Sequence, residues 1–124
     1  MTNVLLVALG GAVGASARHL VGLASLRAFG PGFPHGTMIA NIVGSLLMGL
    51  LVEWLVRRGG PPQVRLLLAT GLLGGFTTFS TFSLDAVALW ERGESSLAVG
   101  YVVGSVVLGL VGLVAGLAIG RAVF

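Results

Sequence analysis

Four apolar runs, at roughly residues 3–26, 36–56, 64–90 and 97–123, take up nearly all of this 124-residue chain. Each meets or approaches the roughly 20 mostly apolar residues that a helix needs to cross the hydrocarbon of a bilayer. Such runs have few choices, because lipid offers no partner to a backbone amide or carbonyl and the peptide groups must bond within the segment. Composition agrees: 56% of residues are hydrophobic and 9% charged, far from the balance of a soluble domain. The expectation is an all-α, multi-pass membrane protein of four transmembrane helices, a single domain over residues 1–124. The joints fit it. FGPGFP (29–34), RRGGPP (57–62) and ERGESS (91–96) are turn-forming or charged interruptions between the runs.

Several classes fall away early. With no cysteine there are neither disulfides nor thiolate metal sites. The seven basic residues are all Arg and lie scattered along the chain, so no nucleic-acid patch is formed. Residues 4–13 followed by Ala15-Ser16-Ala17 resemble a secretory signal, but no Lys or Arg precedes the run. The first run is therefore expected to stay as a span.

Glycine occurs 21 times, and small residues are what let membrane helices approach closely. In the last run Gly112, Gly116 and Gly120 recur every four residues, and Gly100 and Gly104 repeat the interval. That face serves equally for packing within the chain or for a subunit interface, and the spacing leaves both open. Four short helices enclose a polar pathway poorly, so an oligomer is expected. Four spans put both termini on one side, with Arg57, Arg58, Arg65 and Arg121, against Arg27, Arg92 and Arg18 opposite. This basic bias is weak. It allows termini inside, or insertion in both orientations with head-to-tail pairing.

Polar residues inside spans are costly and point to function. Thr37, Asn41 and Ser45 fall at i, i+4 and i+8, one stripe of a helix. The stripe could hydrogen-bond an anion or another helix. Tyr101 and Ser105 repeat the interval, with Gly109 a turn further on. Arg18 lies well inside the first run and must snorkel, pair or act as an electropositive funnel for anions. His19 is expected at the interface, and His35 has no metal-ligand companion. In the third run Gly71, Gly74 and Gly75 precede a hydroxyl-rich stretch, GGFTTFSTFS, which makes a poor continuous helix. A break is expected near Gly75–Thr78, where freed backbone groups must find partners or line a cavity. Phe79 and Phe82 share a face, and Ser80 and Ser83 lie on another. Ring edges are positive, so such rings could face a small anion without trapping it.

At these residues the sequence resembles the Fluc, or CrcB, family of fluoride channels. The resemblance rests on GGAVGASAR (10–18), GTMIANIVGSLLMG (36–49), GLLGGFTTFSTFS (71–83), and Tyr101 with Ser105. It implies four short helices with a broken third, assembled as an antiparallel, dual-topology homodimer in a prokaryotic plasma membrane. It also implies passive fluoride efflux that relieves cytoplasmic fluoride toxicity. By position it places Asn41, Phe79, Phe82, Ser80, Thr81, Tyr101 and Ser105 along the fluoride pathway, Thr78 in the same hydroxyl segment, and Arg18 where anions arrive. It implies structural sodium (Na+) at the dimer centre, held by backbone carbonyls of Gly74 and Thr77. Two departures stand out: Asp85 replaces a common Glu, and Gly109 occupies a turn where a hydroxyl is frequent.

Three other readings compete. A proton-coupled transporter of the small multidrug type needs an embedded carboxylate in the first span, which has none; only Glu53 and Asp85 are near. An intramembrane hydrolase would pair Ser80 or Ser83 with His19 or His35, yet no nucleophile-elbow pattern is present. An assembly subunit held by glycine faces would tolerate replacement of Asn41 and both phenylalanines. The expectation is a channel and not an enzyme, with fluoride, lipid and a second copy of itself as partners.

Overall fold

A computed structural model describes residues 1–124, all helix apart from short connections. Helix α1 spans Thr2–Phe29 and α2 spans His35–Arg58. The third run is composite. Its first half, α3, is α-helical over Pro62–Arg65, widens to π-helix over Leu66–Leu73 and returns to α-helix for Gly74–Phe76. Residues 77–79 have no regular structure, and α4 resumes at Ser80–Glu91. Helix α5 is the longest, Ser95–Val123. Four helical runs, the third being Pro62–Glu91 with its interruption, are long and apolar enough to cross a membrane.

The helices stop where the turn chemistry says they should. Gly59 caps α2 in the left-handed conformation (φ 63°), returning its N–H to the Leu55 carbonyl, a geometry that disfavours any residue with a Cβ. Pro62 then opens α3 in the first turn, where its missing N–H costs nothing.

Packing answers the question left open by the glycines of α5. A methyl group on Gly116 would run into the Leu46 carbonyl and lie 3.0 Å from the Leu50 nitrogen and 3.1 Å from the Gly49 Cα. Gly112 and Gly120 likewise face Ile42 and Glu53 of α2. The stripe is thus an intramolecular α2–α5 seam. Gly100, at the other end, meets nothing within 4 Å. A second seam joins α1 to α3, where methyl groups on Gly10 and Gly14 would collide with the backbone of Leu67 and Leu72. Helix α4 lies against α5, with Leu89, Ala98 and Tyr101 as a small buried cluster.

Only 16 of 124 residues are buried, and Leu5, Val13, Leu20 and Val114 are each at least 60% exposed. A water-soluble chain could not present so continuous an apolar exterior; hydrocarbon is the solvent that suits it. At the end that carries both termini, the buried Glu53 accepts from Arg57 at 3.0 Å and from Arg121 at 3.4 Å. This ties α2 to the last turns of α5.

Candidate functional site

The interruption falls at residues 77–79, at the end of the window expected for it, and its cause differs from the expected one. Gly74 is still helical (φ −62°, ψ −37°), and Gly75 is used for close packing: a methyl there would lie 2.7 Å from the Gly11 carbonyl. The chain departs from the helix at Thr77 (φ −88°, ψ 155°) because other groups take over its backbone bonds. The Thr78 N–H donates to Asn41 Oδ1 at 2.8 Å, and Asn41 Nδ2 donates to the Thr78 carbonyl at 3.0 Å. A side-chain amide thus mimics a neighbouring peptide and bonds Thr78 on both sides. The Thr78 hydroxyl accepts from the Thr81 N–H at 3.2 Å, capping the start of α4. From α1, Arg18 Nε donates to the Gly75 carbonyl at 3.2 Å, placing a cation at the C-terminal end of α3, where it is favourable.

These exchanges leave two carbonyls over. Thr78, the helical donor to Gly74, is bonded to Asn41, and Thr81, the helical donor to Thr77, is bonded to Thr78 Oγ1. The oxygens of Gly74 and Thr77 accept no hydrogen bond from this chain. Neutral, unpaired carbonyls at an unwound segment are the donor set that suits a sodium-sized cation.

Beside the interruption lies a cavity of about 510 Å³ between α2, α4 and α5, reached by Asn41, Ser45, Phe79, Phe82, Ser105 and Gly109. None of the residues around it carries a charge. Phe79 and Phe82 are 5.8 Å apart between ring centres and inclined at 47°. Phe79 is 78% exposed, so its outer face is open to whatever covers this side of the chain. Ser105 is buried and its hydroxyl has no partner. Phe82 in turn lies 5.2 Å from the ring of Tyr101, which is fully buried and donates its hydroxyl to Asp85 Oδ2 at 3.2 Å.

Thus Asn41, Phe79, Phe82 and Ser105 share one cavity, while Tyr101 is not part of its lining and touches it only through the ring of Phe82. Ser80 and Thr81 do not line it. They sit in the first turn of α4, Ser80 Oγ 3.4 Å from Thr78 Oγ1 and Thr81 engaged through its backbone. Thr37 faces a different cavity, so the stripe of α2 serves two places. Arg18 is half-buried and pairs with the interrupted helix. Neither Ser80 nor Ser83 bonds a histidine: Ser80 Oγ lies 3.4 Å from Thr78 Oγ1, Ser83 Oγ donates to the Phe79 carbonyl at 3.0 Å, His19 is exposed, and His35 stacks on Phe29. Glu53 and Asp85 are both engaged and neither reaches the cavity. The π-helical stretch, the Asp85–Tyr101 bond and the bridge of Glu53 to Arg121 had no separate signal in the sequence. The Glu53–Arg57 pair did, at i,i+4.

Four spanning helices, one interrupted beside a neutral polar cavity, define a small multi-pass membrane protein of the channel or transporter kind. Comparison with known proteins makes this specific. The family model described as CrcB-like protein, Camphor Resistance (CrcB), matches residues 5–117, and the chain belongs to that family. It is 58% identical over 118 residues, 95% of this chain and 94% of the relative, to the fluoride-specific ion channel FluC of Cereibacter sphaeroides. It is 56% identical over 120 residues to the FluC of Paracoccus denitrificans, covering 97% and 95% of the two chains. With the FluC of Agrobacterium fabrum it shares 54% over 125 residues, the full length of both.

Proposed function

We propose that this protein is a fluoride channel that lets the ion leave a prokaryotic cell passively across the plasma membrane, relieving fluoride toxicity. The carrying observation is the uncharged cavity beside the interrupted span, read together with relatives that are named fluoride-specific channels over the full chain length. Fluoride is small and holds its water tightly, so a pathway has to replace that water with several weak donors while staying shallow enough for release. After serving Thr78, Asn41 keeps one amide hydrogen. Ser105 has a hydroxyl with no other partner, and the rings of Phe79 and Phe82 offer positive edges. With no cation around the cavity, an anion is solvated without being trapped.

Phe79, exposed beside the cavity, supports assembly with a second copy, and the weak basic bias supports an antiparallel pair inserted in both orientations. In such a pair the free carbonyls of Gly74 and Thr77 from both copies would hold sodium at the centre. The ion, when bound, supplies a positive charge that settles four carbonyl dipoles. Asn41 and Thr78 then do the chain's own part, keeping those carbonyls out of the helical ladder. The multidrug reading fares worse, because neither Glu53 nor Asp85 is free to carry a proton through the cavity.

The test is ion efflux from proteoliposomes. Fluoride should leave much faster than chloride, and Phe79→Ile, Phe82→Ile and Asn41→Asp should each slow it by at least about tenfold, the cost of roughly 1.4 kcal/mol in the barrier. Fluoride release no faster than from empty vesicles would overturn the proposal.

A further inference from the structure

A second cavity, of about 340 Å³, lies beneath the connection between α1 and α2. Its lining includes Ser25 of α1, His35 and Thr37 at the start of α2, Asp85 of α4, and Arg92 just beyond α4. It shares no residue with the cavity at the interruption. Tyr101 lines neither, but it touches a lining residue of each: its ring lies 5.2 Å from that of Phe82 and its hydroxyl donates to Asp85.

His35 is held in place here. Its ring stacks on Phe29 (4.5 Å, 26°) and meets Phe33 edge-on (4.9 Å, 63°), and its Nδ1 is buried without a hydrogen-bond partner. A buried ring nitrogen left unpaired costs free energy unless water or a ligand meets it. Arg92 reaches across the opening, Nη2 donating to the Gly32 carbonyl at 3.1 Å. The ionisable groups around the space are His35, Asp85 and Arg92; α1 contributes Gly22, Ser25 and Leu26, and the connection contributes none. Asp85 and Arg92 cancel in formal charge, so the sign of the space is set by the third group. Histidine is the side chain whose charge ordinarily changes between pH 5 and 8.

We propose that this cavity is the second mouth of the ion pathway, a binding site for a small hard anion whose attraction is set by His35. Resting on the fluoride-channel reading, it adds a site and a regulation to it. With His35 neutral the mouth has no net charge. With His35 protonated it carries one positive charge, and a small anion gathers there before passing Tyr101. One unit charge several ångströms away in a wet opening concentrates an anion roughly threefold.

Fluoride current through protein in planar bilayers tests this, because neutral HF carries no current. With both chambers at pH 5.5, the current should be about threefold that at pH 8.0. In His35→Gln the ratio should fall to about one. In His35→Lys the charge is fixed, and the ratio should again be about one; this variant decides the matter should His35→Gln not assemble. Arg92→Gln should lower the current at both pH values while keeping the ratio. A wild-type current that does not change with pH, or a ratio that survives in both His35 variants, overturns the mouth and leaves the channel standing. No fluoride current from the wild type at either pH overturns both.

Discussion

The seam between α2 and α5 and the interruption after α3 are both rich in glycine, yet one is an unbroken 29-residue helix and the other gives way. Glycine alone therefore does not interrupt a spanning helix. In α5 each of Gly112, Gly116 and Gly120 faces α2, and the peptide groups keep their own ladder. In α3, Gly71 and Gly75 pack against α1 in the same manner. What differs is the supply of alternative partners: Asn41, Arg18 and the Thr78 hydroxyl bond backbone groups that the helix would otherwise claim. Small residues set how near the helices come, and polar side chains on the neighbours decide where the ladder is given up.

The largest effect is expected at the seam. Gly116→Leu drives a side chain into the backbone of Leu46 and Leu50, which cannot yield without separating the helices. Overpacking of this kind costs about 3 kcal/mol or more. Detergent-solubilised protein should lose its monodisperse form, and a variant that purifies and melts like the parent would mean that Gly116 is not in close contact with α2.

Next comes Asn41→Leu, which keeps the branching at Cγ and removes both bonds to Thr78. A donor and an acceptor, both half-buried, are stranded. Each costs about 1–3 kcal/mol when left unpaired. Melting should fall accordingly, and fluoride efflux should drop by more than tenfold, since Asn41 both holds the interruption and lines the cavity. If stability fell while efflux held, the clamp and the pathway would be separate things.

The spans and the approximate site of the interruption could be read from the sequence because hydropathy and turn residues act locally. The partners could not. That Asn41 would meet Thr78, 37 residues away, or Arg18 meet Gly75, 57 away, depends on how α1, α2 and α3 cross. The glycine spacing in α5 was ambiguous for the same reason, since a bare helix face does not say whose backbone will fill it. The family resemblance groups Ser80 and Thr81 with the pathway residues by position. The local geometry of a capped first turn turns them elsewhere. Nothing in the leucine-rich LLLATGLL of Leu66–Leu73 distinguishes a π-helical stretch from an ordinary α-helix, since Thr70 and Gly71 weaken both alike.

A smaller effect is expected from Arg18→Lys. If the residue only gathers anions, lysine keeps the charge and efflux should stay within about twofold. As a clamp on the Gly75 carbonyl it needs the planar guanidinium, whose Nε is fixed in place where an ammonium is not. On that account the variant loses about 1 kcal/mol of stability, and efflux slows by roughly threefold at low and high salt alike. A slowing that vanished as salt was varied would return Arg18 to the role of funnel.

The smallest effect is the most discriminating control. Gly100 belongs to the same four-residue series as Gly104, but a methyl there meets nothing within 4 Å. Gly100→Leu adds apolar surface to a helix already facing lipid and removes a poor helix former. Stability should shift by no more than about 0.5 kcal/mol, as for substitutions away from any packed feature, and efflux from vesicles should match the parent. A large loss would mean that a second copy covers the Ser95 end of α5. The same glycine interval would then be serving two interfaces, one within the chain and one between chains.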